Sequence, residues 1–233
     1  MKTLRESKAR GYAQHGWLKS YHTFSFADYY DNDFMGFSSL RVINEDFIEP
    51  SMGFPLHGHR NMEIVTLVLE GAIEHKDILG NSEVVPYGHV QRMSAGSGIR
   101  HSEFNPSTKD PLHLLQIWIE PNETEVKPRY DRKDFTTEHQ QMGLKTLVSG
   151  FNEPNTLSIY QKARISHGLY AENSEFTLEL SPESNYWLQM VKGQLLSDNL
   201  TLNPGDGLAL SQETLFKFKT QSLSEFYLFQ MLS

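Results

Sequence analysis

The chain has 233 residues, no cysteine, and 21 lysines and arginines against 29 aspartates and glutamates, for a formal net charge of -8. That composition excludes disulfides, thiolate metal sites and cysteine nucleophiles, so any metal must be held by nitrogen and oxygen donors. The basic residues are scattered and form no stripe, which disfavours direct nucleic-acid binding, and no apolar run is long enough to cross a bilayer as a helix. The opening segment MKTLRESKARGYAQ lacks an apolar core, so no secretory signal is read there and the cytoplasm is the default compartment.

Strand signals dominate along the chain. Met62 to Leu69 is β-branched and apolar and stops at Gly71; Ala72 to Asp77 reads as the next strand, with turn chemistry at Leu79-Gly80-Asn81-Ser82. Glu83-Val84-Val85 precedes a break at Pro86-Tyr87-Gly88, and Leu112 to Ile119 is a further strong strand. Few stretches hold a 3.6-residue period, so the pattern predicts an all-β barrel or sandwich. The order strand, glycine, strand, turn, proline-glycine, strand occurs twice, from Val68 to Ala95 and from Met190 to Ser211. Two similar β-units joined near residues 135–145 account for it, with the polar segment Asp134 to Gly143 as a linker. Histidines concentrate in the first unit (His57, His59, His75, His89, His101, His113), and past the linker only His167 remains.

Two short motifs carry the chemistry. His57-Gly58-His59 puts two imidazoles on one face of a strand, because residues i and i+2 share a face. His101-Ser102-Glu103 repeats the geometry with an imidazole and a carboxylate. On neighbouring strands, His57, His59, His101 and Glu103 would close around one divalent transition metal, a donor set suited to iron, nickel, copper, manganese or zinc. Glu63 competes with Glu103, since an unbroken strand from His57 would bring Glu63 to the same face and a bulge would not; spacing alone leaves the choice open. Arg60 and Glu63 are expected to pair behind the ligands, Gly96 and Gly98 to permit a tight loop before His101, and Gln116 to face a pocket. His113 is expected to pack at a rim and His22 among its aromatic neighbours, while His75 and His89 are expected to be exposed.

The segment Gly53 to Gly71, with His57-Gly58-His59 and Glu63, resembles the first cupin motif, and Gly80 to Asn105 resembles the second with a long insertion. That insertion, Met93 to Glu103, resembles the signature of the pirin family, as do Gly16-Trp17, His22 to Phe26, Met35-Gly36-Phe37, Arg41 to Asn44 and Gln116-Ile117-Trp118. The resemblance is closest to short bacterial pirins with quercetinase activity. It implies a bicupin of two antiparallel jelly-roll barrels, residues 1–135 holding the metal and 136–233 holding none. It gives the ligand role to His57, His59, His101 and Glu103 rather than Glu63. It further implies an iron-first metal preference and a dioxygenase that opens flavonols such as quercetin with O₂, releasing carbon monoxide and a depside, with Glu103 as general base. The alternative is a metal-containing regulatory protein acting through a protein partner.

Overall fold

Short strands form because β-branched and aromatic residues recur between glycine, proline and asparagine turns. The computed structural model describes residues 1–232, and the chain divides into two units. The first strand, β1 (Lys2–Arg5), belongs to the second unit. The first unit spans Gly11–Thr136 with Ile159–Gln161. It holds β2 (Gly11–Gln14), β3 (Leu18–His22), β4 (Leu40–Ile48), β5 (Gly53–His59), β6 (Glu63–Glu70), β7 (Ala72–Asp77), β8 (Ser82–Pro86), β9 (His89–Ser94), β10 (Ile99–Phe104), β11 (Leu112–Ile119) and β12 (Arg129–Asp134). Seven strands form one sheet in the order β12-β9-β6-β11-β4-β3-β2, and four form another in the order β5-β10-β7-β8. Leu18, Ile48, Val68, Leu112 and Leu114 of the large sheet pack against Ile73 and Val85 of the small one. The two inner faces therefore meet, as in a jelly roll.

The second unit repeats the plan with one seven-stranded and one four-stranded sheet. Its core is aromatic, with Tyr170, Phe216, Phe218 and Phe226 among Leu188, Leu195, Leu208 and Leu210. The repeat seen in the sequence is a repeat of topology. β6 turns at Gly71 (φ +81°) into the β7–β8 hairpin, and β9 returns to pair with β6. Strand Ser184–Lys192 turns at Gly193 (φ +78°) into the hairpin Leu195–Ser197 and Leu200–Leu202, and Gly207–Ser211 returns to pair with Ser184–Lys192.

Three details depart from expectation. Each unit is a pair of sheets rather than a closed barrel. The division at 135/136 is corrected at the first ten residues, because Lys2–Arg5 pairs with Gly207–Leu210 and residues 1–10 join the second unit, and at Ile159–Gln161, which join the first. The segment expected as a linker contains a short helix, α1 (Thr136–Gln140), that buries His139. No helix among the described residues is long and apolar enough to cross a membrane.

Pairing of β5 with β10 brings the two ligand motifs side by side, with His101 opposite His57 and Ile99 opposite His59. The register shifts between His101 and Glu103, which take two steps on β10 against three on β5, so the extra residue lies in the Pro55–Leu56 stretch. A proline is tolerated at such a bulge because no ladder hydrogen bond is needed from it. The bulge lets Phe54 and His57, three apart in sequence, line one cavity. At the far end of the pair the backbones nearly touch: a Cβ on Gly53 would lie 2.1 Å from the carbonyl oxygen of Glu103 and 2.5 Å from Cα of Phe104. Gly53→Ala is therefore expected to push β5 off β10 and destabilise the protein by roughly 1–3 kcal/mol, typical of overpacking. A chemical-denaturation midpoint equal to that of the parent would contradict this account of the pairing.

Candidate metal centre

Three imidazoles converge where β5 meets β10. Ring centroids are 4.8 Å apart for His57 and His59, 4.5 Å for His57 and His101, and 4.9 Å for His59 and His101. One nitrogen from each of the three lies within 4.8 Å of the others. His101 is buried, and the other two are half-buried at the edge of a cavity.

Neighbouring groups decide which nitrogen faces inward. His57 Nδ1 lies 2.8 Å from the Pro55 carbonyl; a carbonyl only accepts, so Nδ1 carries the proton and Nε2 keeps its lone pair. His101 is set by a longer chain. Asp77 accepts a hydrogen bond from Nε2 of His75 at 3.0 Å. That leaves Nδ1 of His75 as the acceptor facing Nδ1–H of His101 at 3.4 Å. His101 Nε2 is then an unprotonated, buried atom with no hydrogen-bond partner. A lone pair stripped of water without a donor is costly, and a metal ion is the group that fits it. Burial holds His101 down to about 2, helped by the neighbouring imidazoles, and burial followed by His57 holds His59 down to about 4. Both rings are neutral at ordinary pH, the form that ligates.

Glu103 sits beside this group. Its Oε1 accepts from Gln91 Nε2 at 2.6 Å and Thr66 Oγ1 at 3.5 Å, and its Oε2 accepts from Gln116 Nε2 at 2.8 Å. It clusters within 4.8 Å with His101 and His75 rather than with the three-histidine set. Burial raises its pKa to about 7 against these donors, with the nearby Asp46 adding to the rise. Glu63 is elsewhere. The chain leaves the small sheet after His59 and enters the large one at Glu63. Glu63 accepts from Ser94 Oγ at 2.8 Å, and burial raises its pKa.

Gln116 lines the cavity. His113 stacks on Phe47 at 4.0 Å. His22 is buried and bonds Asn44 Oδ1 at 2.8 Å. Gly96 (φ +46°) lies in the loop before His101. The Arg60–Glu63 pair does not form, since Arg60 reaches out to Glu125 at 2.6 Å. His89 is half-buried, and His75 is fully buried under the ring of Tyr130, 4.0 Å away. The His75 role was readable in the alternation Ile73, His75, Asp77, whose intervening Glu74 and Lys76 are the outward residues. Thr66, Gln91 and Asp46 carried no comparable signal.

The cavity has a volume of about 860 Å³ and is walled by Tyr12, Trp17, Phe26, Tyr29, Phe54 and Trp118. His57, His59, Glu103 and Gln116 also line it, and so do Ser20, His22, Asn44 and Asp46 from β3 and β4. No lysine or arginine is among its lining residues. Burial lifts the Asp46 carboxyl to about 7 from 3.8, a hydrogen bond from Ser20 opposes the shift, and the charge of Glu45 adds to it.

The comparisons agree along the whole chain. A family model described as Pirin matches residues 3–119, and one described as Quercetinase C-terminal cupin domain matches residues 146–231. Quercetin 2,3-dioxygenase of Escherichia coli K12 is 44% identical over 98% of this chain and 97% of its own length. A Pirin-like protein of Caulobacter vibrioides is 40% identical over 88% of each chain. The crystal structure of the bacterial pirin YhhW from Escherichia coli in complex with nickel(II) superposes with a TM-score of 0.94 at 44% identity, covering 100% of this chain and 99% of that one.

A raised carboxyl pKa has a thermodynamic sign. Because the folded protein holds the Asp46 proton more tightly than the unfolded chain, that contribution to stability is complete below pH 3.8 and is lost as pH rises to about 7. In metal-free protein, Asp46→Asn is expected to lose less stability than the parent between pH 5 and pH 7, by an amount on the order of 1.4 kcal/mol per pH unit. Parallel losses in urea denaturation would show that Asp46 is not held protonated.

Proposed function

This chain belongs to the pirin family, and on that basis we propose that it is a metal-dependent dioxygenase that opens the ring of flavonols such as quercetin. The observation that carries the reading is a buried, partnerless imidazole nitrogen beside two further imidazoles and a carboxyl, at the wall of an aromatic cavity. The resident metal is assigned to His57, His59 and His101, with Glu103 completing the set. Iron is joined as a candidate by nickel, the ion in the complex of the Escherichia coli relative. When bound, such an ion supplies Lewis acidity and an electronic link between an oxygenated aromatic and O₂.

The chain's own residues supply the rest. The cavity is of a size that suits a small multi-ring ligand. Trp17, Phe26, Phe54 and Trp118 offer flat apolar walls and exclude water from its rings. Glu103 accepts the proton of the flavonol 3-hydroxyl at a carboxylate oxygen, because its buried carboxyl lines the cavity beside the imidazoles. Gln91 and Gln116 hold both of its oxygens in place, so the base does not swing away when it is protonated. The reaction consumes O₂ and releases carbon monoxide and a depside. A cavity with aromatic walls and the carboxyl and imidazoles in its lining favours turnover over the partner-binding alternative.

Reconstitution of metal-free protein with iron or nickel, followed by oxygen uptake on quercetin, tests the reading. His101→Ala is expected to lose tight metal, measured by elemental analysis, while the protein stays folded, because the cores are held by aliphatic and aromatic side chains that the substitution leaves in place. Metal-saturated Glu103→Gln is expected to bind quercetin but turn it over ~100-fold more slowly, whereas Glu63→Gln retains most activity. The opposite ranking would reassign the carboxylate, and full metal occupancy in His101→Ala would remove the centre.

A further inference from the structure

The dioxygenase reading uses one wall of the cavity and leaves four buried polar residues on another without a task. Ser20 and His22 lie on β3, and Asn44 and Asp46 lie opposite them on β4, in the register His22 to Asn44 and Ser20 to Asp46. All four are at most 4% exposed, yet all line the cavity. The Ser20 hydroxyl donates to Oδ1 of Asp46, and His22 Nδ1 meets Asn44 Oδ1 at 2.8 Å. Polar side chains beside an apolar cavity cost free energy unless something hydrogen-bonds them.

Their position relative to the centre is fixed by sheet register. Gln91, Thr66, Gln116, Asn44 and His22 occupy one continuous row across β9, β6, β11, β4 and β3. The first three hold Glu103, and the last two belong to the unused group. β4 and β3 lie one and two strands beyond Gln116, roughly 5 and 10 Å at ordinary strand spacing. A flat aromatic with one oxygen at Glu103 therefore presents its other ring positions to this patch.

We propose that Ser20, His22, Asn44 and Asp46 form a hydroxyl-recognition subsite for a neutral polyhydroxylated aromatic, with Asp46 as the specificity-determining residue; the inference deepens the dioxygenase reading and rests on it. The charge pattern selects the class. Asp28, Asp46 and Glu103 line the cavity without any lysine or arginine, so a carboxylate or phosphate on the ring positions away from the metal would be desolvated with no cationic side chain to pair with. Burial keeps the Asp46 carboxyl substantially protonated near neutral pH, so it both donates and accepts, as a phenol does. A site built to hydrogen-bond a hydroxyl discriminates against the analogue that lacks it, because its own polar groups are then left unpaired.

The test compares quercetin with 3-hydroxyflavone, which keeps the 3-hydroxyl and lacks the other ring hydroxyls. Binding to metal-free protein is read from quenching of tryptophan fluorescence, since Trp17 and Trp118 line the cavity, and kcat/KM is read on reconstituted protein. The parent is expected to prefer quercetin in both measurements. Asp46→Leu is expected to cut that preference by about tenfold or more, the value of one or two buried hydrogen bonds, and Asp46→Asn to restore most of it. If Asp46→Leu does not fold by circular dichroism, Ser20→Ala and Asn44→Ala read the same ratio. An unchanged ratio in folded variants, or no binding of quercetin by metal-free parent protein, overturns the subsite. Absence of turnover with every metal, alongside an Asp46-dependent binding preference, would defeat the dioxygenase reading and leave the subsite standing.

Discussion

One hydrogen-bonded chain, from Asp77 through His75 to His101, decides what this fold can hold. Imidazole is ambivalent: either nitrogen can carry the proton, and three rings packed together could turn N–H groups toward one another. Asp77 removes the ambiguity two residues away from the point where it matters. Hydrogen bonds from His75, Asn81 and Leu79 overcome its burial and hold its pKa down, so it stays an acceptor. Each link then has a single allowed donor direction, and the chain ends on a lone pair. The Pro55 carbonyl does the same for His57 at much shorter range. The close approach of β5 to β10 and the bulge at Pro55–Leu56 bring the rings together. The tautomer lock makes their meeting productive.

Two carboxyls line the cavity from different sheets, Glu103 from β10 and Asp46 from β4, and they keep different company. Glu103 is gripped by two amides and a hydroxyl, while Asp46 has Ser20. Both are pushed toward neutrality by burial, and the charge of Asp46 adds to the cost of ionising Glu103. The cavity thus offers hydrogen-bonding carboxyls and no cationic side chain, a matter of side-chain chemistry rather than of shape.

Much of this was legible in the chain, for definite reasons. Strand period two fixes relative facing, so His57 with His59 and His101 with Glu103 could be paired before any fold was known. The topological repeat could be read because glycine and proline mark the same turns twice. The Glu63 alternative could not be settled by spacing, because the break after His59 moves Glu63 to another sheet. His75 was misread because charged Glu74 and Lys76 flank it, and in a strand the neighbours of a buried residue are the outward ones. Asn44 and Asp46 sit in a nine-residue strand whose burial depends on what packs above it. The pairing of residues 2–5 with 207–210 leaves no periodic trace at all, since it joins opposite ends of the chain.

The duplicated plan has met two different ends. In one copy the inner faces carry histidines, amides and carboxyls around some 860 Å³ that no side chain fills. In the other, tyrosine and phenylalanine rings occupy the core, with Tyr170 lying parallel to Phe226 at 5.6 Å. A hollow forfeits dispersion contacts that a filled core keeps, and buried polar groups add their own cost. The filled copy keeps those contacts, so the hollow copy is the one expected to open locally first under stress.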